Sequence, residues 1–256
     1  MKIVGIIPGR MAASRFPGKL LALLGGHPVI EHVYRRAMRC PRLAEVYVAT
    51  CDQAIAQAVE QFGGRAVMTS DRHVRCTDRV AEAAQGIDAD IIVNIQGDEP
   101  LLHPDAITQV CDAMLAPPGV PCVNATNPIT REEDFRHPNQ IKVVCDRRNH
   151  ALYMSRQPIP TTARWGERPV LRQLGLIAFR RAFLELFTRL SPTPLEQAES
   201  VDMLRAVESG HPVQVVVSPF ESFGVDTPAD LQAAEARLAG DALAGALFAA
   251  AAPITR

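Results

Sequence analysis

The sequence predicts an α/β fold built on a mostly parallel sheet, and three features indicate it. Short apolar runs alternate with helical patterns from the N-terminus to residue 95, which is typical of βαβ units whose helices cover a parallel sheet. The runs at residues 3–7 and 91–95 are almost entirely apolar, as in buried strands. Each run is followed directly by a polar motif, at the position where an open α/β sheet binds its ligand.

The order of elements in the first half gives a doubly wound architecture. The strands are expected at residues 3–7, 46–50, 66–68 and 91–95, and the helices at residues 28–39, 53–62 and 77–85. Strands that alternate with helices in this way pair in parallel, because each helix returns the chain to the same edge of the sheet.

The second half changes character and predicts a largely antiparallel subregion, inserted roughly over residues 128–190. Its strands are separated by loops containing Pro and Asn, and we expect them at residues 120–128, 141–145, 152–154 and 171–179. A helix at 195–208, a strand at 213–217 and a helix at 228–238 follow. We therefore expect one domain over residues 1–240 and an Ala-rich helix or tail over residues 241–256.

Composition limits the possible partners. The chain has 256 residues and a formal net charge of −1, so nothing favours non-specific binding to nucleic acid or to an anionic membrane. No apolar run reaches the ~18 residues of a membrane span, and the N-terminal strand is too short for a signal peptide. The six cysteines are scattered, with no C-x-x-C pair. We expect reduced thiols and a cytoplasmic protein.

The loop after the first strand predicts a polyphosphate site. It carries Arg10, Arg15 and Lys19, with Pro17 and Gly18 shaping the turn. The two arginines offer planar forks that match phosphate oxygens, and the lysine offers a mobile point charge that can follow a leaving pyrophosphate. The loop has neither the G-x-G-x-x-G spacing of a dinucleotide site nor the spacing of a P-loop. A dehydrogenase and a P-loop kinase are therefore disfavoured.

Two aspartates complete the predicted site. Asp98 follows the strand at 91–95, on the same sheet edge as the basic loop, and its carboxylate is the kind of oxygen ligand that Mg²⁺ prefers. Asp226 lies just outside a helix start, with Thr227 as the expected N-cap and Pro228 at the first helical position. Either aspartate alone could be a simple turn or cap residue. Together with the basic loop they indicate a metal and a triphosphate.

These motifs resemble the 3-deoxy-manno-octulosonate cytidylyltransferase (CMP-Kdo synthetase) family over nearly the whole chain. The matching stretches are IPGR at 7–10, RFPGK at 15–19, His73 with TDR at 77–79, VNIQGDEP at 93–100, PNQIKVV at 138–144, ALYMSRQPIP at 151–160 and GVDTP at 224–228. The resemblance implies a Rossmann-like nucleotidyltransferase fold, a homodimer formed through the inserted subregion, and transfer of CMP from CTP to an acidic sugar with release of pyrophosphate.

The resemblance also implies roles for particular residues. The catalytic set would be Arg10, Lys19, Asp98 and Asp226, of which the two aspartates would bind Mg²⁺. The nucleotide site would be formed by Pro8, Gly9, Arg10, Arg15, Lys19, His73, Thr77, Arg79, Gln96 and Asp98, and the acceptor site by Arg156, Arg164, Gln173, Ile177, Glu199, Asp202 and Met203. In-line attack on the α-phosphorus needs positioning and charge neutralisation rather than a covalent nucleophile.

The acceptor set departs from the family pattern. Gln173 stands where the family usually has His, Ile177 where it has Tyr, Asp202 where it has Glu, and Met203 where it has Gln. A site built to hydrogen-bond hydroxyl groups loses affinity when those partners are missing. The changes favour an acceptor other than 3-deoxy-manno-octulosonate itself, such as a small carboxylate or a phosphonate of the phosphonoformate type.

Two further alternatives stay open. The segment from His73 to Thr77 stands where the family has a small Ser-Gly pair near the base. The first alternative is therefore a nucleotidyltransferase that uses UTP or another nucleotide with an ordinary sugar phosphate. A non-catalytic nucleotide-binding homologue is the other alternative. Retention of Lys19, Asp98 and Asp226 weighs against it, because a sensor does not need both metal carboxylates.

Overall fold

The computed structural model describes residues 1–161 and 170–248. Its strands are β1 (Ile3–Gly9), β2 (Leu23–Leu24), β3 (His27–Pro28), β4 (Glu45–Thr50), β5 (Ala66–Met68), β6 (Ile91–Ile95), β7 (Cys122–Ile129), β8 (Lys142–Cys145), β9 (Ala151–Ser155), β10 (Val170–Arg180) and β11 (Val213–Val217). Its α-helices are α1 (Val29–Met38), α2 (Gln53–Gln61), α3 (Cys76–Gln85), α4 (Pro104–Leu115), α5 (Glu132–Arg136), α6 (Arg181–Phe187), α7 (Pro194–Glu199), α8 (Met203–Glu208), α9 (Pro228–Leu238) and α10 (Ala244–Phe248). None of the helices in these ranges could span a membrane.

The sheet has β1 near its centre, and the predicted parallel half is confirmed. The strand order is β11-β7-β10-β6-β1-β4-β5. β1 pairs in parallel with β4 on one side and with β6 on the other, and β4 pairs in parallel with β5. The carboxyl ends of β1 and β6 therefore meet at one edge, which brings the two predicted polar motifs together.

The second half of the chain continues this same sheet rather than forming a sheet of its own. β10 lies between β6 and β7 and runs antiparallel to both. β7 pairs in parallel with β11 at the far edge. The hairpin of β8 and β9 joins the outer part of β10 through Arg172 and Leu171. A separate two-stranded sheet is formed by β2 and β3.

Helices cover both faces of the sheet, each over its own hydrophobic cluster. On one face, α1 places Ile30, Val33, Tyr34 and Ala37 in the core, at the spacing of an amphipathic helix. On the other face, α3, α6 and α8 pack against β6 and β10. Each fully buried aliphatic side chain contributes about 1.5–3 kcal/mol to the free energy of folding. The predicted doubly wound architecture is confirmed.

The prediction of one continuous helix over residues 195–208 is wrong. The chain forms α7 and α8 instead, because Ser200 takes a left-handed conformation, with φ of 54°, directly after α7. A capping box between Thr193 and Glu196 begins α7, and Pro194 occupies its first position. The break folds α8 back, so that the guanidinium of Arg205 reaches Glu196 at 2.6 Å and 2.8 Å.

The C-terminal segment is docked as far as residue 248. The ring of Phe248, in α10, stacks on His27 with 3.8 Å between the ring centroids. Arg39 donates a hydrogen bond of 2.7 Å to the carbonyl of Ala246. This part of the Ala-rich stretch is therefore a helix held against α1, while residues 249–256 lie outside the described residues.

We predict that Arg205→Met lowers the free energy of unfolding by about 3–5 kcal/mol, because it leaves the buried Glu196 carboxylate without its partner. The two side chains are only 5% and 2% exposed. The measurement is urea unfolding of the wild type, of Arg205→Met and of the double variant that also carries Glu196→Met. The double variant should be more stable than Arg205→Met alone. A loss below about 1 kcal/mol for the single variant would contradict the assignment.

Candidate active site

The loop between β1 and residue 19 is shaped by backbone hydrogen bonds that direct Lys19 inward. Gly18 adopts φ of 75°, in the left-handed region that favours glycine, and its amide donates to the carbonyl of Met11 at 2.9 Å. The amide of Met11 in turn donates to the carboxylate of Asp52 at 2.7 Å. The loop is thus closed on itself and tied to the start of α2. Arg10 and Arg15 remain exposed.

Lys19 joins the two predicted metal ligands. Its Nζ lies 2.6 Å from Oδ2 of Asp98 and 2.8 Å from Oδ1 of Asp226. The other oxygen of Asp226 is 2.8 Å from the guanidinium of Arg15. Residues from positions far apart in the chain therefore converge on one point at the carboxyl end of β1 and β6.

These contacts shift the pKa values of the cluster. Burial alone would lower the pKa of Lys19, but the carboxylates of Asp98 and Asp226 outweigh it and raise that pKa above its ordinary value. Burial alone would raise the pKa of Asp226, yet the hydrogen bond from Lys19 and the charges of Lys19 and Arg15 lower it. The ammonium and the carboxylate are therefore both held in their charged forms at neutral pH.

The predicted position of Asp226 at a helix start is confirmed. Thr227 is the N-cap of α9, and its hydroxyl accepts a hydrogen bond from the amide of Asp230. The carboxylate of Asp230 accepts from the amides of Thr227 and Asp226 at 2.8 Å and 3.1 Å. This capping box fixes the backbone of Asp226 and so aims its carboxylate at Lys19.

A first cleft surrounds this cluster and is here called the nucleotide cleft. It has a volume of roughly 210 Å³. Eight of the residues predicted for the nucleotide, catalytic or metal sites line it: Pro8, Gly9, Arg10, Arg15, Lys19, Gln96, Asp98 and Asp226. The arrangement offers two exposed guanidinium groups and one ammonium above a pair of carboxylates.

The remaining predicted nucleotide residues lie at the side of this cleft. His73 contacts the carboxylate of Glu82. The hydroxyl of Thr77 donates to Asp202 at 2.5 Å, and Arg79 donates to Thr69 and to the carbonyl of Ser70. His73 and Arg79 border a small recess together with residues 8–10 and 74–76. The hydroxyl of Thr77 is engaged in its hydrogen bond to Asp202.

The structure does not gather the predicted acceptor residues around a cleft. Arg156 donates to the carbonyls of Glu199, Pro138 and Ser200, and Glu199 accepts from Ser155 and from the amide of Arg156. Neither residue lines the nucleotide cleft or the larger cleft next to it. They instead bind the end of β9 to α7.

The other predicted acceptor residues are mostly occupied by contacts within the protein. Ile177 and Met203 are 4% and 0% exposed and belong to the core on the α3 face. Asp202 accepts the hydrogen bond from Thr77, and Gln173 donates to Asn124 at 2.7 Å. Arg164 lies outside the described residues.

A second cleft adjoins the first and was not predicted. It has a volume of roughly 480 Å³ and shares Arg15 and Asp226 with the nucleotide cleft. It is lined by further polar residues that include Glu99, Arg172 and Ser222. Burial raises the pKa of Glu99 to about 7, although its carboxylate accepts a hydrogen bond from the hydroxyl of Ser222. Gln173, which the sequence analysis predicts for the acceptor site, also lines this cleft. The position of Glu99 beside Asp98 is a second signal that the sequence offers.

The donor set at Lys19 suits a hard divalent cation. Asp98 and Asp226 each place a carboxylate oxygen within 2.8 Å of the same nitrogen, which is itself a cation. In the described part of the chain, no group of three or more His, Cys, Asp or Glu side chains converges. A metal there would take two ligands from the protein, as Mg²⁺ does when phosphates and water complete its shell.

Comparison with known proteins gives consistent matches. A sequence model described as cytidylyltransferase matches residues 4–216. The chain is 46% identical over 242 residues to the 3-deoxy-manno-octulosonate cytidylyltransferase of Geobacter metallireducens, covering 90% of this chain and 95% of that one. It is 45% identical over 248 residues to the enzyme of the same name from Syntrophobacter fumaroxidans, covering 95% and 99%.

A solved structure is similar over the same extent. It is CMP:2-keto-3-deoxy-manno-octonic acid synthetase in complex with CTP, with a TM-score of 0.89 and 38% sequence identity. The match covers 94% of this chain and 99% of that one.

We predict that Gly175→Ala lowers kcat/KM for CTP by about 10-fold to 100-fold, because displacing a positioning side chain by a fraction of an ångström has effects of that size. Gly175 lies in β10, where a Cβ would overlap Cγ of Gln96 in the nucleotide cleft. Steady-state kinetics on the purified variant measures the effect. Gly86→Ala is the matched control, since nothing lies within 4 Å of its Cβ position. Equal activity of the two variants would contradict the prediction.

Proposed function

The chain belongs to the 3-deoxy-manno-octulosonate cytidylyltransferase family, and we propose that it transfers CMP from CTP to an acidic acceptor in a Mg²⁺-dependent reaction that releases pyrophosphate. The single observation that best supports this proposal is the meeting of Lys19 with Asp98 and Asp226 beneath the loop of Arg10 and Arg15. The two carboxylates can hold a metal ion, and the three cationic side chains around them can bind a triphosphate.

The proposed reaction needs no covalent intermediate. An acceptor oxygen attacks the α-phosphorus of CTP, the bond from that phosphorus to the bridging oxygen of the β-phosphate breaks, and the acceptor hydroxyl loses its proton to solvent. Arg10 and Arg15 bind the phosphate oxygens, because their guanidinium groups are exposed at the mouth of the cleft. Lys19 holds positive charge where the pyrophosphate departs, which stabilises the transition state more than the bound substrate.

Asp98 and Asp226 are the residues that would hold Mg²⁺. The ion would neutralise the triphosphate and polarise the phosphoryl oxygens. The protein's own contribution is geometric: β6 ends just before Asp98 and the capping box of α9 fixes Asp226, so both carboxylates are in place beforehand. This retention of both carboxylates together with Lys19 argues against a non-catalytic nucleotide-binding homologue.

The acceptor is proposed to be a sugar acid similar to 3-deoxy-manno-octulosonate, which is part of the names of the relatives. The alternative is a small carboxylate or a phosphonate of the phosphonoformate type. It is favoured by Ile177 and Met203, which present apolar side chains where the family has polar ones and are buried in the core. A homodimer and a cytoplasmic location, expected from the resemblance and from the cysteine pattern, stay predictions.

The proposal is tested by measuring pyrophosphate release by the purified protein with each of CTP, UTP, ATP and GTP, with and without Mg²⁺. The acceptor panel includes 3-deoxy-manno-octulosonate, other sugar acids and phosphonoformate. We expect release with CTP and an acidic acceptor only when Mg²⁺ is present. Release that requires UTP and a sugar phosphate would replace the proposal, and no release with any combination would overturn it.

We predict that Asp98→Asn and Asp226→Asn each lower kcat by at least ~10²-fold, because each removes one of two anionic metal ligands. The assay is pyrophosphate release at saturating CTP and Mg²⁺. Asp112→Asn is the control, since that aspartate is half-exposed and pairs with Arg42 away from the cleft. Near-normal turnover of either active-site variant would refute the metal assignment.

We predict that Lys19→Ala lowers kcat by at least ~10²-fold and changes the KM for CTP much less, because its charge acts mainly as negative charge develops on the leaving group. Lys2→Ala is the control, because Lys2 pairs with Glu45 outside the cleft. Thermal unfolding of both variants checks that the fold persists. A rise in KM with unchanged kcat would make Lys19 a ground-state binding residue instead.

A further inference from the structure

The two carboxylates that are expected to hold the metal are already bound by cations of the protein itself. Nζ of Lys19 contacts Asp98 at 2.6 Å and Asp226 at 2.8 Å, and Arg15 contacts the second oxygen of Asp226 at 2.8 Å. Three of the four carboxylate oxygens therefore accept from a cationic group. Two negative charges are balanced by two positive charges, so these four side chains form a neutral cluster without an ion.

The ammonium of Lys19 and a divalent ion cannot use these oxygens at the same time. Mg²⁺ binds oxygen ligands at about 2.0–2.1 Å, and the ammonium lies within 2.8 Å of one oxygen from each aspartate. An ion bound to both oxygens would be a close neighbour of Nζ, and like charges at short range in a partly buried site repel strongly. Lys19 therefore competes with a metal for the position between Asp98 and Asp226.

Only the side chain of Lys19 has to move for this position to become free. Its backbone begins a single 3₁₀ turn over Lys19–Leu21, in which the amide of Leu21 donates to the carbonyl of Gly18 at 2.9 Å. The next side chain, Leu20, is buried in the core and anchors the turn. The lysine itself lines the nucleotide cleft and carries its charge on a flexible four-carbon stem. The ammonium can therefore turn from the carboxylates to phosphate oxygens while the loop stays in place.

Lys19 is the less exposed of the two cations in the cluster. Its side chain is 12% exposed, whereas that of Arg15 is 50% exposed. Water replaces the contacts of an exposed arginine at little cost, but a mostly buried ammonium needs another anion before it can leave its carboxylates. A triphosphate bound in the nucleotide cleft supplies that anion. Lys19, rather than Arg15, therefore controls access to the two aspartates.

We propose that the ammonium of Lys19 takes the place of the divalent cation in the nucleotide-free protein, and that a metal binds between Asp98 and Asp226 only when a triphosphate has drawn the ammonium away. This inference rests on the proposed function for the identity of the metal ligands. It adds an order of binding: the free protein excludes the metal, and the metal enters with the nucleotide. Lys19 thereby has a second task besides its effect on the leaving group.

The test is the affinity of the purified protein for Mn²⁺ without any nucleotide, measured from the electron paramagnetic resonance signal of the free ion. Mn²⁺ accepts the same oxygen ligands as Mg²⁺. We expect Lys19→Met and Lys19→Gln to bind Mn²⁺ at least ~10-fold more tightly than the wild type, because each removes the competing charge. Lys19→Arg keeps that charge and should bind Mn²⁺ as weakly as the wild type.

Two controls locate the effect. Lys2→Met removes an ammonium that pairs with Glu45 outside the nucleotide cleft, so it should leave the affinity for Mn²⁺ unchanged. The double variant that carries Lys19→Met and Asp98→Asn should lose the gain of Lys19→Met, because it lacks one of the two ligands. A gain that persists in the double variant would place the ion elsewhere and overturn the inference.

A measurement on the wild type does not depend on the folding of any variant. The relaxation rate of water protons reports Mn²⁺ held by a protein. The probe is the CTP analogue with a methylene group in place of the α,β-bridging oxygen, from which no pyrophosphate can leave. We expect little protein-bound Mn²⁺ without the analogue and a complex of protein, analogue and Mn²⁺ with it. Equally tight binding of Mn²⁺ by the wild type with and without the analogue overturns the inference.

The inference and the proposed function fail in different ways. If the wild type releases pyrophosphate with CTP, Mg²⁺ and an acidic acceptor, while folded Lys19→Met binds Mn²⁺ no more tightly than the wild type, only the exclusion of the metal is overturned. If neither protein binds Mn²⁺ with or without the analogue, the metal assignment is refuted. The proposed Mg²⁺ dependence and the inference then fall together.

Discussion

The contact of one ammonium with two carboxylates is the constraint on which the site depends. Lys19, Asp98 and Asp226 are contributed by the loop after β1, the end of β6 and the start of α9, and Lys19 is only 12% exposed at its side chain. A mostly buried ammonium is stable there only if both carboxylates are near. The parallel pairing of β1 with β6 and the capping box of α9 are what bring them near. The architecture of the site thus follows from how these three segments are packed.

The antiparallel strand β10 contributes both to the core and to the lining of the second cleft. The backbone of β10 is irregular between Gln173 and Ile177, where the side-chain amide of Asn124 donates to the carbonyls of Leu174 and Leu176. Gly175 therefore approaches Gln96 closely and closes the cleft wall. Both faces of β10 carry core side chains, with Leu176 on one face and Ile177 on the other, while its residues 172–174 line the second cleft. The same strand therefore supplies core packing along much of its length and lines a cleft near its start.

Local signals made the parallel half and the nucleotide cleft predictable from the sequence. Continuous apolar runs marked β1 and β6, a Gly and a Pro marked the basic loop, and Thr227 with Pro228 marked the start of α9. The position of β10 between β6 and β7 depends on pairing across long sequence distances, which no local pattern encodes. The break after α7 depends on a left-handed Ser200, a residue type with no strong preference for that conformation. The second cleft joins Glu99, Arg172 and Ser222 from three distant segments, so its existence could not be read from any one of them.

In the proposed reaction, the charge arrangement would also couple the nucleotide to the metal. A divalent cation at Asp98 and Asp226 and the ammonium of Lys19 would compete for the same carboxylate oxygens. Lys19 can leave them at low cost only when another anion accepts its charge, and the triphosphate of CTP is such an anion. Arg15 faces the same exchange, because it binds the second oxygen of Asp226. Metal alone would place two positive charges beside an uncompensated lysine, and CTP alone would bring its phosphates against two carboxylates. Each partner would therefore remove the repulsion that the other meets, so the cluster would favour binding of the metal and the nucleotide together.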